Sequence, residues 1–352
     1  MKIGITGLPF SGKTTVFGAL TFSREAQQEA AARRATNTRM VNVPDPRLDL
    51  LAEVFQPKKY TTATVEYVDI PGFGGSDAYF AQLREVEALA LVVRAFEDES
   101  VPHEKGSVDP VRDLAELQTE LCLSDLVPIE KRIERIEAQL KKPTKTHDRD
   151  KAELAVLQKL REPLENGEPL RKVGLEADEE KLIRSFGFIT LKPWLIIRNL
   201  GDDDDPGEQN EDAIPIEGGQ AEIAIRGKLE CELCGLDEAD RKDFMADLGV
   251  TELVGEKVIR LSYRLLDRIS FLTGGPKEVR AWPIPRGMKA PQAAGTIHSD
   301  MERGFIRAEV IGWDDFVATR GFAEARAKGK ARLEGKEYVM QDGDVVEIRF
   351  SV

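Results

Sequence analysis

The chain has 352 residues, enough for two or three domains, each with its own core. Its 32% charged and 41% hydrophobic content is ordinary for a water-soluble protein, and no apolar run approaches the roughly twenty residues of a membrane span. Three cysteines give no disulfide framework and the N-terminus enters a strand directly, so a cytoplasmic protein without a membrane partner is expected. The net charge of −13 argues against a chain that coats DNA with its whole surface. Residues 267–352 hold 14 Lys/Arg and 13 Asp/Glu, a net of +1, which leaves −14 on the remainder.

In chain order, residues 2–6 read as a strand, 14–20 as a helix, 64–70 as a strand, 78–87 as a helix and 88–94 as an apolar strand. That alternation implies a mainly parallel sheet with helices on both faces. Residues 109–184 carry no strand signal. Cys122, Leu126, Ile129, Ile133, Ile136 and Leu140 are spaced 4-3-4-3-4, an a/d seam, with Pro128 expected to mark a kink or a fresh helix start. A second helix is expected from Arg149, with Leu154, Leu157 and Leu164 on one stripe, giving an antiparallel coiled-coil hairpin inserted into the first domain. The basic run 141–149 near its tip is either a solvated turn or a patch for a polyanion. The sheet resumes at 193–198, and 202–205 is an acidic loop. After Leu265, residues 276–284, 305–311, 336–340 and 345–352 read as strands and 313–319 and 322–328 as helical pieces, a compact α+β module. The expected division is 1–108 and 186–266 as two parts of an α/β nucleotide domain, 109–185 as the helical insertion and 267–352 as the C-terminal module.

The first strand runs into Gly7-Leu8-Pro9-Phe10-Ser11-Gly12-Lys13-Thr14, which has the form G-x-x-x-x-G-K-[ST], a Walker A phosphate loop. Such a loop points successive backbone N–H groups at a triphosphate and adds the positive N-terminus of the following helix. Gly7 and Gly12 permit the turn and the close approach. Lys13 is expected at the β- and γ-phosphates, and the Thr14 hydroxyl on Mg²⁺. The bland alternative is a glycine-rich turn that binds nothing, and the flanking strand and helix count against it. Further on, Asp69-Ile70-Pro71-Gly72 closes an apolar strand: Asp69 is expected to hold Mg²⁺ through water, and the Gly72 N–H to sense the γ-phosphate.

Phe73 follows, where a Ras-like enzyme has a Gln that orients the attacking water. A phenyl ring cannot do this, so slow intrinsic hydrolysis, or a water positioned by another group or a partner, is expected. Asn199-Leu200-Gly201-Asp202 stands where a base-reading Asn-x-x-Asp/Glu is sought. Asp202 would accept from guanine N1–H and N2–H, or leave room for adenine if it points away; the bland alternative is a loop Asn capping an acidic turn. Cys231 and Cys234 form a C-x-x-C without a second pair, so partly buried thiols are expected rather than zinc. His103, His147 and His298 are too scattered for a ligand set.

Several long stretches in register resemble the YchF/Obg-like ATPases, a branch of the Obg-related P-loop GTPases: 43–48, 66–70, 92–98, 106–112 and 119–121, then 277–282, 290–295 and 304–310 in the C-terminal module. The resemblance implies a G domain with an inserted coiled coil and a C-terminal β-grasp, TGS-like domain. It also implies use of ATP alongside or in preference to GTP, Mg²⁺ as cofactor, and association with the ribosome, through ribosomal RNA or protein. Carried over by position, Lys13, Thr14, Thr15, Asp69, Gly72 and Asn199 keep their roles, with Gly7, Pro9, Phe10, Ser11, Gly12, Leu200 and Asp202 completing the nucleotide site. Departures are Phe10-Ser11 for the family's Asn-Val, Asp202 for its usual Glu, a short second switch at 72–77, and a rewritten first switch at 31–36, where Thr36 or Thr38 stands in for the metal-contacting Thr. The leading expectation is a Mg²⁺-dependent ATPase/GTPase acting as a regulatory switch. Its rival is a nucleotide-binding adaptor with negligible hydrolysis that docks partners through the coiled coil and the C-terminal domain; a metabolic kinase fits poorly, because no acceptor site is recognisable.

Overall fold

A computed structural model describes residues 1–22, 37–73, 76–103, 105–141, 147–207, 211–248, 250 and 252–351. The chain forms two compact units, Met1–Met40 with Glu66–Leu261, and Val41–Val65 with Ser262–Val352. The first seven strands are β1 (Lys2–Thr6), β2 (Asn37–Asn42), β3 (Tyr60–Thr61), β4 (Thr64–Asp69), β5 (Ala88–Arg94), β6 (Trp194–Asn199) and β7 (Gln220–Ile225). The first nine described helices are α1 (Lys13–Thr21), α2 (Pro46–Phe55), α3 (Asp77–Glu85), α4 (Pro110–Leu140), α5 (His147–Glu165), α6 (Ala177–Ile183), α7 (Gly227–Cys234), α8 (Glu238–Asp247) and α9 (Val254–Leu265).

All of these strands except β3 build one sheet in the order β2-β4-β1-β5-β6-β7. β1 pairs parallel with β4 on one side and β5 on the other, and β5, β6 and β7 continue parallel. Every residue of β5 is buried, as expected for a central parallel strand covered on both faces. Because the chain winds from β1 to β4 in one direction and from β4 to β5 in the other, the winding reverses at β1. A ligand is expected beyond the carboxyl end of a strand at such a point.

The helical insertion packs as the heptad spacing requires. Cys122, Ile129, Ile133 and Ile136 of α4 are buried against Val156, Leu157, Leu160 and Leu164 of α5, with Leu126, Leu140 and Leu154 at the margin. Each fully buried Ile or Leu contributes roughly 1.5–3 kcal/mol. Asp109 caps α4 by accepting from the Arg112 N–H, and Pro110 occupies the first turn, where its missing N–H costs nothing. Pro128 does not start a new helix: α4 runs unbroken from Pro110 to Leu140. The carbonyl four residues back, Ser124 O, which an ordinary residue at 128 would have bonded, accepts instead from Arg84 Nη2 at 2.9 Å. One residue on, the fully buried Asp125 carboxylate accepts from the Ile189 N–H (3.1 Å), the Thr190 N–H (2.7 Å) and the Thr190 hydroxyl (2.8 Å), fixing the returning chain to the insertion. Burial pushes Asp125 above the usual carboxylate range, and these three donors pull it back.

In the second unit, β8 (Arg268–Gly274), β9 (Val279–Pro285), β10 (Phe305–Ile311), β11 (Arg332–Glu334) and β12 (Val345–Phe350) join β3 in a sheet of order β11-β10-β12-β8-β9-β3. Helices α10 (Ala290–Ile297), α11 (Ser299–Arg303), α12 (Trp313–Thr319) and α13 (Phe322–Ala327) complete it, and Ile269, Phe271, Ile284, Ala293, Val310 and Met340 form its core. Residues 41–65, read from sequence as part of the nucleotide domain, pack with this unit instead. Arg47 donates to Asp45 and Asp342, Asp342 accepts from the Ser270 N–H, and β3 pairs with β9. Residues 336–340 are not a strand. They form a turn with one isolated bridge, Lys289 to Val339, and Met340 plugs the core.

Candidate functional site

β1 ends at Thr6 and α1 begins at Lys13, so residues 7–12 form the loop at the winding reversal. Its two glycines are required by close neighbours. A Cβ on Gly7 would collide with the Val92 carbonyl, and one on Gly12, whose φ is 86°, would collide with the Asn199 amide. Pro9 is partly buried at the turn, while Phe10 sits at φ 61° with half its surface exposed. A left-handed phenylalanine costs on the order of 1–3 kcal/mol and is held only where the surroundings over-determine it, as happens in functional loops. The buried Ser11 hydroxyl oxygen has no hydrogen-bond partner among the described residues.

Lys13 curls over its own loop, donating to Gly7 O at 3.0 Å and Leu8 O at 2.8 Å. Burial pulls its pKa down to about 8, opposed by the Asp69 carboxylate. The Thr14 hydroxyl donates to Asp69 Oδ2 at 3.0 Å, joining the start of α1 to the end of β4, and Thr15 follows half-buried on the helix. Burial pushes Asp69 upward, resisted by the Thr14 bond and the Lys13 charge. One carboxylate and one hydroxyl side by side is a hard-oxygen donor pair. It suits Mg²⁺, which takes few protein ligands and completes its octahedron with phosphate and water, and it does not suit zinc. Among the described residues no three His, Cys, Asp or Glu side chains cluster to hold a metal by themselves.

Gly72 is exposed at φ 88°. The Phe73 ring packs against the apolar cluster of Val68, Ile70, Tyr79 and Leu83, edge-on to Tyr79 with centroids 6.3 Å apart. Tyr79 in turn shares a 2.6 Å hydrogen bond with Thr6 at the root of the loop. Gly74, Gly75 and the first-switch candidate Thr36 lie outside the described residues, as do residues 142–146 of the basic run; Thr38 stands in β2.

Asn199, at the end of β6, spends both polar groups of its amide on the protein. Nδ2 donates to Ser11 O at 3.1 Å, and Oδ1 accepts from the Gly227 N–H at 3.1 Å. Gly227 must be glycine here, because a Cβ would fall 2.6 Å from that Oδ1. Asn199 thus clamps the phosphate loop to the first residue of α7. Leu200 is held by its N–H to Ile225 O at 2.8 Å, and the Asp204 carboxylate closes the turn by accepting from the Gly201 N–H. Asp202 is exposed and pairs with Lys228 Nζ at 3.1 Å. Leu8, whose carbonyl accepts from Lys13, joins the expected loop residues, as do Gly227 and Lys228 beside Asn199 and Asp202. The signal for Gly227 and Lys228, the run Arg226-Gly227-Lys228 directly after a strand, was hidden because β7 was not recognised.

The other candidates do not join the site. Cys231 and Cys234 are buried free thiols on α7, with Cys234 pushed up to about 12 by burial. His103 bonds Asp113 at 3.0 Å, and no histidine reaches the loop by a hydrogen bond among the described residues.

Comparison with known proteins agrees with this geometry. Residues 268–351 match the YchF-GTPase_C family, described as a protein of unknown function (DUF933). A protein of Haemophilus ducreyi called ribosome-binding ATPase YchF is 41% identical over 364 aligned positions, spanning 100% of this chain and 99% of the relative. One of the same name from Bacillus subtilis is 40% identical and covered completely on both sides. The solved structure of the Schizosaccharomyces pombe YchF GTPase superposes with a TM-score of 0.85 at 31% identity, covering 99% of this chain and 97% of that one. With full-length identity at this level and a shared fold, the chain belongs to the YchF family.

Proposed function

We propose that this protein is a Mg²⁺-dependent nucleoside triphosphatase that hydrolyses ATP or GTP at residues 7–15, Asp69, Gly72 and 199–202, and that it works as a switch on the ribosome. The observation that carries the reading is the 3.0 Å contact between Thr14 and Asp69 at the mouth of a loop already wrapped around Lys13. Full-length relatives named ribosome-binding ATPases support the activity, the partner and a cytoplasmic location.

In this reading the loop N–H groups and the start of α1 hold the phosphates. Lys13 has three donors, and the one not given to Gly7 O or Leu8 O turns to the β- and γ-phosphates. Thr14 and Asp69 hold Mg²⁺, which when bound neutralises charge on the β- and γ-oxygens. Asn199 fixes the distance between the phosphate end and the base end by bonding both Ser11 and Gly227. The chemistry asked of the protein is positioning and electrostatic stabilisation.

Phe73 favours a second reading, an adaptor that keeps its nucleotide. With its ring packed against Tyr79 and the apolar cluster, the residue directly after Gly72 offers no hydrogen-bonding side chain to orient water. Single-turnover hydrolysis of ATP and GTP, with and without ribosomes, separates the two. The enzyme reading expects slow phosphate release that ribosomes accelerate, and release in neither condition leaves the adaptor.

A further inference from the structure

The proposed base end of the site holds a pair of side chains that the expected nucleotide chemistry does not explain. Asp202, three residues after Asn199, carries the carboxylate that would accept from guanine N1–H and N2–H. Lys228 immediately follows Gly227, whose N–H is bonded to Asn199 Oδ1. One asparagine therefore fixes the backbone from which both side chains spring, and their termini meet at 3.1 Å, Lys228 Nζ on Asp202 Oδ2. Three nearby carboxylates are committed elsewhere: Asp204 to the Gly201 N–H, Asp205 to the Gly207 N–H, and Asp98 to the Ser100 N–H and hydroxyl. Asp202 contributes most to stabilising the Lys228 ammonium, with smaller additions from the Glu232 and then the Asp98 charge.

Guanine engages a carboxylate with two parallel donors, N1–H and N2–H, and needs both of its oxygens. Adenine has no such donor pair on that edge. We infer that Lys228 is a specificity-determining residue, which by drawing on one oxygen of Asp202 and neutralising its charge competes with guanine's bidentate contact and tilts the site away from GTP. The inference rests on the nucleotide reading above and names which side chain sets the base preference.

The pair is exposed, with 67% of the Lys228 and 39% of the Asp202 side chain open to solvent. Water and salt screen it, and guanine competes with an interaction of modest strength, so the effect is a bias of about fivefold. Removing Lys228 also removes a positive charge near a polyanion, which weakens both nucleotides alike. The informative quantity is therefore the ratio of the two affinities.

The test is titration of the full-length protein with non-hydrolysable ATP and GTP analogues in Mg²⁺ buffer. The variants are Lys228→Met, Lys228→Arg, Asp202→Ala and the double variant Asp202→Ala with Lys228→Met. Lys228→Met should shift Kd(GTP)/Kd(ATP) about fivefold toward GTP, Lys228→Arg should keep the wild-type ratio, and the double variant should lose the gain. An unchanged ratio in Lys228→Met, a shift toward ATP, or a gain that survives in the double variant would overturn the inference while leaving the nucleotide reading intact. Failure of the wild-type protein to bind either analogue would overturn both.

Discussion

Lys13 pairs its proposed role at the phosphates with a cost to stability. Burial lowers its pKa from 10.5 to about 8 in the fold, with Asp69 opposing the shift. Between pH 8 and 10.5 the unfolded chain therefore binds more protons at this position, so its contribution to stability rises with pH across that window. Below pH 8 the cost of a buried ammonium is borne in full, on the order of 3 kcal/mol. Lys13→Met should raise the melting temperature of the nucleotide-free protein at pH 7 and abolish the gain above pH 10, as calorimetry at the two pH values will show. Because a phosphate contact requires the protonated form, nucleotide affinity should fall as pH rises above 8, approaching tenfold per unit, and the variant should lose that dependence. A flat wild-type profile between pH 7 and 9.5 would contradict this placement of the ammonium. Lys13, Thr14 and Asp69 were legible in the sequence because loop spacing and the strand before each motif are local signals. The Asn199 clamp was not, since it depends on Ser11 and Gly227 lying 188 and 28 residues away.

At the scale of elements, α4 carries a proline in its middle and stays one helix because an outside donor replaces the lost bond. Arg84 Nη2 bonds Ser124 O, so Arg84→Ala should destabilise the protein by roughly 1 kcal/mol, the loss of a hydrogen bond to a part-buried carbonyl. Pro128→Ala restores a backbone N–H for the same carbonyl, so in the Arg84→Ala background it should recover part of the loss; urea unfolding of the four proteins reads out the coupling. Strict additivity of the two substitutions would contradict the account. The sequence marks Pro128 as a break but is silent on Arg84, which comes from another helix. Five strands are not legible in the sequence, β2, β3, β7, β8 and β11, and two of them show why. β7 is an edge strand of mixed polarity, Gln-Ala-Glu-Ile-Ala-Ile. β8 follows α9 so closely that its apolar run reads as more helix; the break is Asp267, in the left-handed region at φ 49°, which an aspartate tolerates. Conversely, 336–340 ends in Tyr-Val-Met, which favours a strand, yet Tyr338 is held by its hydroxyl on Asp344 and Met340 turns inward.

For the whole molecule, the alternating order of strands and helices was legible enough to expect a parallel sheet carrying the phosphate loop at β1. The membership of residues 41–65 in the second unit was not, because it rests on Arg47, Asp342 and the β3–β9 pairing, contacts more than 200 residues apart in sequence. The full-length relatives tie the chain to a family named for an ATPase and a ribosome partner, and the geometry locates where such chemistry would occur. Everything proposed for this protein depends on a nucleotide seated on residues 7–14 with Thr14 and Asp69 at its metal. Calorimetric titration of a non-hydrolysable ATP analogue at several Mg²⁺ concentrations, into wild type, Lys13→Ala and Asp69→Asn, tests that most directly. The account predicts that Lys13→Ala weakens binding by roughly 10–100-fold and that Asp69→Asn loses most of the Mg²⁺ dependence. Wild-type affinity in Lys13→Ala, or undiminished Mg²⁺ dependence in Asp69→Asn, would contradict it.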